Sequence, residues 1–419
     1  MHCGTGMQAG RRSSQVAAVL DTVHGASTIA RKMVSLGWQA EAFEVYHHNP
    51  DLSDFDLIVA PVHLPPSNPA LREAKRQKKK IITHHQAVGD LLKQEIGQDI
   101  RVYEVTGTHS KTTTALLLAL MLSRREKVLT HTTRGLEVWH DGSARLIETG
   151  MSITPGNVIR AVEAAESEGV FDLICEVSLG GTGLADYAIL TSLSGDYMIA
   201  GGSKWASTAK LQMLSLAKRG FKFLANSDIR LSQDVSFAGG GMVYARPDRL
   251  VLFGEEVHLD LGADLDFWGY ETAIAAAAAT ASISGEGSAE IAVALSGFDG
   301  FSGRMKIRRN EGQTIFDCSN SGLKVKDVAR ALDRSSGLGL VAVIGEDAAT
   351  VCEGLDISAL ASLLRERRAE IARLILVGER LMPLADELLA TTARNLQDGL
   401  EIAQRENPKR LLSCVKCFR

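Results

Sequence analysis

Residues 105–122 read VTGTHSKTTTALLLALML, and the fold turns on how this stretch is taken. An apolar run from Arg101 feeds a short polar turn, and Lys111 with three threonines opens an unbroken apolar segment. That order is strand, loop, helix, the setting of a phosphate-binding loop of the G-x-x-x-x-G-K-[ST] type. The last glycine is missing, because Ser110 precedes Lys111. The backbone N–H groups and positive end of the following helix suit phosphate oxygens. Lys111 is placed to reach the terminal phosphates, and the Thr112 hydroxyl to face Mg2+. Glycine is required only for positive φ or very close approach. Ser110 is therefore expected to hold ordinary backbone angles, with Ser110→Gly nearly neutral.

Strand and helix patterns alternate on both sides of this loop. Upstream, VAAVLD, QAEAFEVY, FDLIVAPV and KKIITHH read as strands, with a helix over STIARKMVSLG. This makes residues 16–98 a small Rossmann-like α/β unit, although it has no G-x-G-x-x-G turn to claim a dinucleotide. The pattern restarts near 99, where VFDLICEVS and YAILTSL add strands and the alanine-rich segment 271–284 a helix. A third α/β unit spans 303–419. Residues 1–15 are polar and pattern-free and read as a disordered lead-in. The expectation is an α/β protein of three domains at 16–98, 99–302 and 303–419.

Composition narrows the function. With 46 Lys and Arg against 50 Asp and Glu, the chain carries a net charge of −4, which gives nucleic acid no basic surface to bind. No apolar run approaches the ~20 residues that span a bilayer. The longest candidate, AIAAAAATASISG, is too weakly hydrophobic and reads as a packed helix. Six scattered cysteines without a secretory signal imply reduced thiols and a cytoplasmic setting. Cys414 and Cys417 form a lone C-x-x-C with no further ligand pair for zinc.

The motifs after the loop resemble, in order along almost the whole chain, those of the Mur ligase family. GTHSKTTT is similar to its G-T-x-G-K-[ST]-[ST] loop, so ATP would contact Gly107, Thr108, His109, Ser110, Lys111, Thr112 and Thr113. LICEVS resembles the strand-end segment whose glutamate holds Mg2+, which assigns Glu176. STAKLQML resembles the segment of the family's carbamylated lysine, which assigns Lys210. NSD resembles the stretch near the adenine, giving Asn226. GFDGFSGRMKI is similar to the domain-junction motif, giving Arg304, and FDCSNSG gives Asp317 and Asn320. The resemblance implies the three-domain Mur-ligase architecture and an ATP-dependent ligase that activates a carboxylate as an acyl phosphate. Lys111, Glu176 and Lys210 would be catalytic, with Thr112, Glu176 and Lys210 at the metal. The sequence departs where the family carries an aspartate–histidine pair before that lysine: here Asp196 is followed by Tyr197.

The substrate is to be sought in residues 16–98. VLDTVHGA, VAPVHLPP and ITHHQAVGDLL put His24, His63, His84 and His85 at strand ends, where α/β sheets take ligands. Each could instead be satisfied by backbone hydrogen bonds. The basic run KRQKKK (75–80) reads as a solvated helix end. No loop suits the diphosphate of a UDP-sugar. These three segments resemble the divergent branch of the family in methanogenic archaea, which works on a nickel tetrapyrrole in coenzyme F-430 biosynthesis. That resemblance implies internal cyclisation of a propionate side chain with ADP and phosphate released, and places the four histidines at the substrate. The alternatives are an amide-forming ligase of the peptidoglycan type and an ATP-binding switch without catalysis.

Overall fold

The computed structural model describes residues 16–97, 99–310, 312–347 and 354–418. The expected lead-in at 1–15 lies outside the described residues. Three large sheets follow one another along the described residues, besides a two-stranded ribbon of Met198–Ile199 and Lys204–Trp205. The first has four parallel strands, in the spatial order Gln39–Phe43, Val16–Leu20, Leu57–Ala60 and Lys80–Thr83. The second has eleven strands. Its parallel centre sets Arg101–Thr106 between Tyr187–Leu190 and Asp172–Glu176, and antiparallel strands extend both edges. The third has six strands, parallel except for the hairpin Lys306–Asn310/Gln313–Asp317.

Lys111–Leu122 forms the helix that the apolar run demands, and it is buried nearly all round. The alanine-rich helix Phe267–Ile283 packs with it in one core. Small side chains there let the two backbones approach, which a leucine-rich face would prevent. A second core joins the first sheet to the central one: Ile29 and Met33 of helix Ala26–Ser35 share it with Val158 and Ile159 of helix Pro155–Glu168. That seam is tight at one glycine pair, since a Cβ on Gly156 would meet the Gly25 carbonyl at 2.9 Å.

One expected element ends early. KKIITHH is strand only over Lys80–Thr83, and His84 and His85 open a helix, His84–Leu92, capped by the Thr83 hydroxyl. Both rings are buried.

Another buried histidine, His131, lies in strand Val128–Thr132 and bonds the Ser152 carbonyl at 3.2 Å. Burial lowers its pKa from the ordinary 6.5 to about 4. A neutral ring stabilises the fold fully above the unfolded value, and that contribution is lost as pH falls toward 4. Between pH 7 and pH 5 the loss from this one group is about 2 kcal/mol. His131→Gln should therefore lose that much less stability over the interval than wild type in urea titrations at the two pH values. Parallel pH dependences would contradict it.

Candidate active site

The loop after strand Arg101–Thr106 has the form a phosphate demands. Gly107 sits at φ 146°, and a Cβ there would meet the Thr191 hydroxyl at 2.2 Å, so only glycine fits. The Thr108 hydroxyl ties the loop to the Ser194 carbonyl at 2.8 Å. Lys111 occupies the first helical turn, and its ammonium lies 3.1 Å from the Gly107 carbonyl, folded back over the loop. Ser110 corrects an expectation, because it holds φ 62°, the left-handed region. The missing glycine's conformation is kept by a residue that pays for it, at roughly 1–2 kcal/mol for an L side chain. Ser110→Gly should thus raise stability by about 1 kcal/mol, read as a higher urea midpoint; an unchanged or lower midpoint would contradict the strain.

Around the loop, oxygen donors and cations converge. Glu176, at the end of its buried strand, accepts from the Thr112 hydroxyl at 2.7 Å and from the Thr133 backbone N–H at 3.4 Å. Two hard oxygens side by side at the start of helix Lys111–Leu122 are a donor set that suits Mg2+. Arg304 comes from the third unit and donates to Asn320 at 3.0 Å and to Thr133 at 3.4 Å. Burial pulls its pKa down while Glu176 opposes the shift. Asn320 in turn donates to the Gly303 and Cys318 carbonyls, both at 2.9 Å. Lys324 and Lys326 face the loop from the same side, and the Lys326 ammonium lies 2.7 Å from His109. Burial first, and then these lysines, lower His109 to about 4 and keep its ring neutral.

Lys210 is 1% exposed, so it is no surface lysine. Its ammonium donates to the Ser178 carbonyl at 2.7 Å, two residues beyond Glu176. Tyr197, at the departure from the family pattern, lays its ring between Lys210 and Lys324, 5.6 and 5.2 Å from the two ammonium groups. Asp196 accepts from the Ser207 backbone N–H at 2.9 Å, tying the Tyr197 turn to the helix that carries Lys210.

One cavity of about 880 Å³ unites most of these groups. Thr108 to Thr113, Glu176, Arg304 and Asn320 line it from the second and third units, and His24, His63, His84 and His85 from the first. Four of the expected residues stand off its wall, Gly107 at the start of the loop among them. Asp317 is buried behind it and accepts from the Gly303 N–H at 3.0 Å, fixing the turn before Arg304. Lys210 donates to the carbonyl of Ser178, a wall residue, without lining the cavity itself. Asn226 bonds the Thr191 carbonyl at 3.1 Å, beside a shallower hollow lined by Leu193, Leu211, Asp228 and Ile229.

The four histidines divide. The His84 ring bonds the Leu20 carbonyl at 2.9 Å, and neither ring nitrogen of His85 has a hydrogen-bond partner among the described residues. His84 and His85 thus line the cavity from the start of a helix rather than from a strand end, 1% and 3% exposed, whereas His24 and His63 are 26% and 28% exposed. Sequence reading missed what joins those two. Asp21 ends the first strand, fully buried, and its carboxylate lies 2.7 Å from His24 Nδ1 and 3.2 Å from His63 Nε2. Its signal was a carboxylate three residues before a strand-end histidine. Cys414 and Cys417 are buried thiols outside any disulfide. Among the described residues, Asp21, His24 and His63 form the sole cluster of His, Cys, Asp or Glu with metal-ligand spacing.

Known proteins resemble this chain. Residues 307–417 match the family model described as coenzyme F430 synthetase CfbE, C-terminal domain. The chain is 35% identical to the coenzyme F(430) synthetase of Methanosarcina acetivorans, with 96% of this chain and 98% of that protein covered. Among solved structures, MurF from Acinetobacter baumannii superposes with a TM-score of 0.58 at 16% identity, covering 81% of this chain and 79% of that one. A bifunctional folylpolyglutamate synthase/dihydrofolate synthase from Yersinia pestis, complexed with AMPPNP and Mn, gives 0.57 at 15% identity, covering 80% and 90%. At such identities the structural likeness speaks for the fold. No helix among the described residues is long and apolar enough to cross a membrane.

Proposed function

Because this chain belongs to the coenzyme F430 synthetase family and is an ATP-dependent ligase of the Mur type, we propose that it closes a ring on a nickel tetrapyrrole. ATP phosphorylates a propionate side chain of the ring-open nickel precursor, seco-F-430 acid. A carbon of the same macrocycle then attacks the acyl phosphate, giving coenzyme F-430, ADP and phosphate. The observation that carries this reading is the single cavity shared by the phosphate loop and the histidines of the first unit. A carboxylate held among those histidines faces the terminal phosphate without leaving the cavity.

Each residue has a physical task. Lys111 neutralises charge that builds on the transferring phosphoryl group, and Arg304 adds a second cation from the third unit. Thr112 and Glu176 would hold Mg2+, which when bound shields the phosphate oxygens. Gly107 to Thr113 seat the phosphates on backbone N–H groups. The hollow beside Asn226, with its leucine and isoleucine walls, suits a purine ring. Lys210, buried next to the Glu176 strand end, is placed to support a second metal position if carbamylated. The tetrapyrrole's anionic rim suits a wall of imidazoles and the cations Lys324, Lys326 and Arg330.

Phosphate release measured with different acceptors tests the proposal. The ring-open nickel tetrapyrrole should switch on ATP hydrolysis to ADP with no amine present. Release that requires a UDP-muramyl substrate plus an amino acid, with the tetrapyrrole inert, would return the amide-forming reading.

A further inference from the structure

We propose that His24, oriented by Asp21, is the base that removes the proton from the attacking carbon of the substrate. The inference rests on the ring-closing reading above and assigns it a residue. Making a carbon–carbon bond by internal attack requires the loss of a C–H proton, and a base must stand where that carbon lies. The phosphate end of the cavity offers the cations Lys111 and Arg304, while Glu176 is engaged by Thr112 and Thr133. The histidine end offers a prepared acceptor.

Asp21 has no exposed surface and holds φ 81°, a conformation that turns its carboxylate back over the following turn. One oxygen accepts the Val23 and His24 backbone N–H groups at 3.1 and 3.2 Å. The other is 2.7 Å from His24 Nδ1, 2.8 Å from the Tyr46 hydroxyl and 3.2 Å from His63 Nε2. Five contacts immobilise the carboxylate, and its hydrogen bonds to His24 and His63 outweigh burial to hold its pKa far below the usual range. A permanent anion on Nδ1 keeps the proton there, puts the basic lone pair on Nε2 and stabilises the imidazolium once formed. The His63 ring packs edge-on against His24, 4.5 Å between centroids, and limits its rotation. His24 makes the shorter bond to Asp21, and its ring lines the same cavity as the phosphate loop. These are the parts of a carboxylate–histidine dyad facing a substrate cavity.

The step balances. The C–H bond breaks and its proton goes to His24 Nε2. The freed electron pair forms the bond to the acyl carbon, and the acyl C–O bond breaks with its pair leaving on phosphate. The imidazolium later returns its proton to water.

Hydroxylamine separates activation from closure, because it captures an acyl phosphate as a hydroxamate. With Mg2+, ATP and the ring-open nickel tetrapyrrole, His24→Gln should lower the ratio of cyclised product to hydroxamate by about 10²-fold or more, whatever affinity for the tetrapyrrole it loses. Asp21→Asn, which keeps the shape and removes the charge, should shift the same partition in the same direction. Wild-type ring closure in His24→Gln would overturn the assignment, as would parallel loss of hydroxamate and ring in both variants. Closure by wild type that is abolished by a chelator selective for transition metals, with a stoichiometric ion retained by wild type and lost in His24→Gln, would overturn it in favour of a metal at these three side chains. If wild type yields neither hydroxamate nor ADP in response to the tetrapyrrole, the ring-closing reading itself falls.

Discussion

Lys111→Ala turns over at least about 10²-fold more slowly than wild type, with its unfolding midpoint almost unchanged. Phosphoryl transfer leaves the protein little covalent work, so catalysis comes from positioning and from cations set against the charge of the transition state. Lys111 sits on the first turn of a buried helix, and its ammonium lies 3.1 Å from the Gly107 carbonyl of its own loop. Removing it costs the fold little and costs the transition state a full charge. Steady-state phosphate release measures the effect. Wild-type turnover in the variant would mean that this loop does not carry the reacting phosphate.

Glu176→Gln should be nearly as severe, with a loss on the order of 10²-fold that added Mg2+ recovers only in part. The amide keeps the size of the side chain and can still accept from the Thr112 hydroxyl, as the carboxylate does at 2.7 Å, so the strand end survives. It lacks the charge that makes this corner a hard anionic ligand set. The diagnostic is a Mg2+ titration of phosphate release, in which the half-saturating concentration rises sharply. Titrations that overlay would remove Glu176 from the metal.

How much of this was legible beforehand depends on the range of the cause. That the loop before Lys111, Glu176 and the Arg304–Asn320 pair meet at one cavity follows from motifs that each rest on a few neighbouring residues and a strand or helix boundary. Ser110 was misread because its φ of 62° is imposed by the loop as a whole and leaves no mark on one residue's identity. The same limit applies to His84 and His85, whose burial follows from a helix docking on Leu20 and the central sheet. Asp317 stood in a motif with Asn320, yet alternation along the strand turns it to the buried turn at Gly303. Asp21 escaped notice because its partners, Tyr46 and His63, lie 25 and 42 residues away. Only the order of strands in the first sheet, with Val16–Leu20 between Gln39–Phe43 and Leu57–Ala60, brings those loops to one edge.

The most direct measurement of the central claim is the mass of the product made from the ring-open nickel tetrapyrrole with ATP and Mg2+, in the absence of any amine. The account predicts a product lighter than the substrate by one water, formed one for one with ADP and phosphate. Substrate recovered at its original mass while ATP is consumed, or a product that appears only when an amine is supplied and carries that amine, would contradict it.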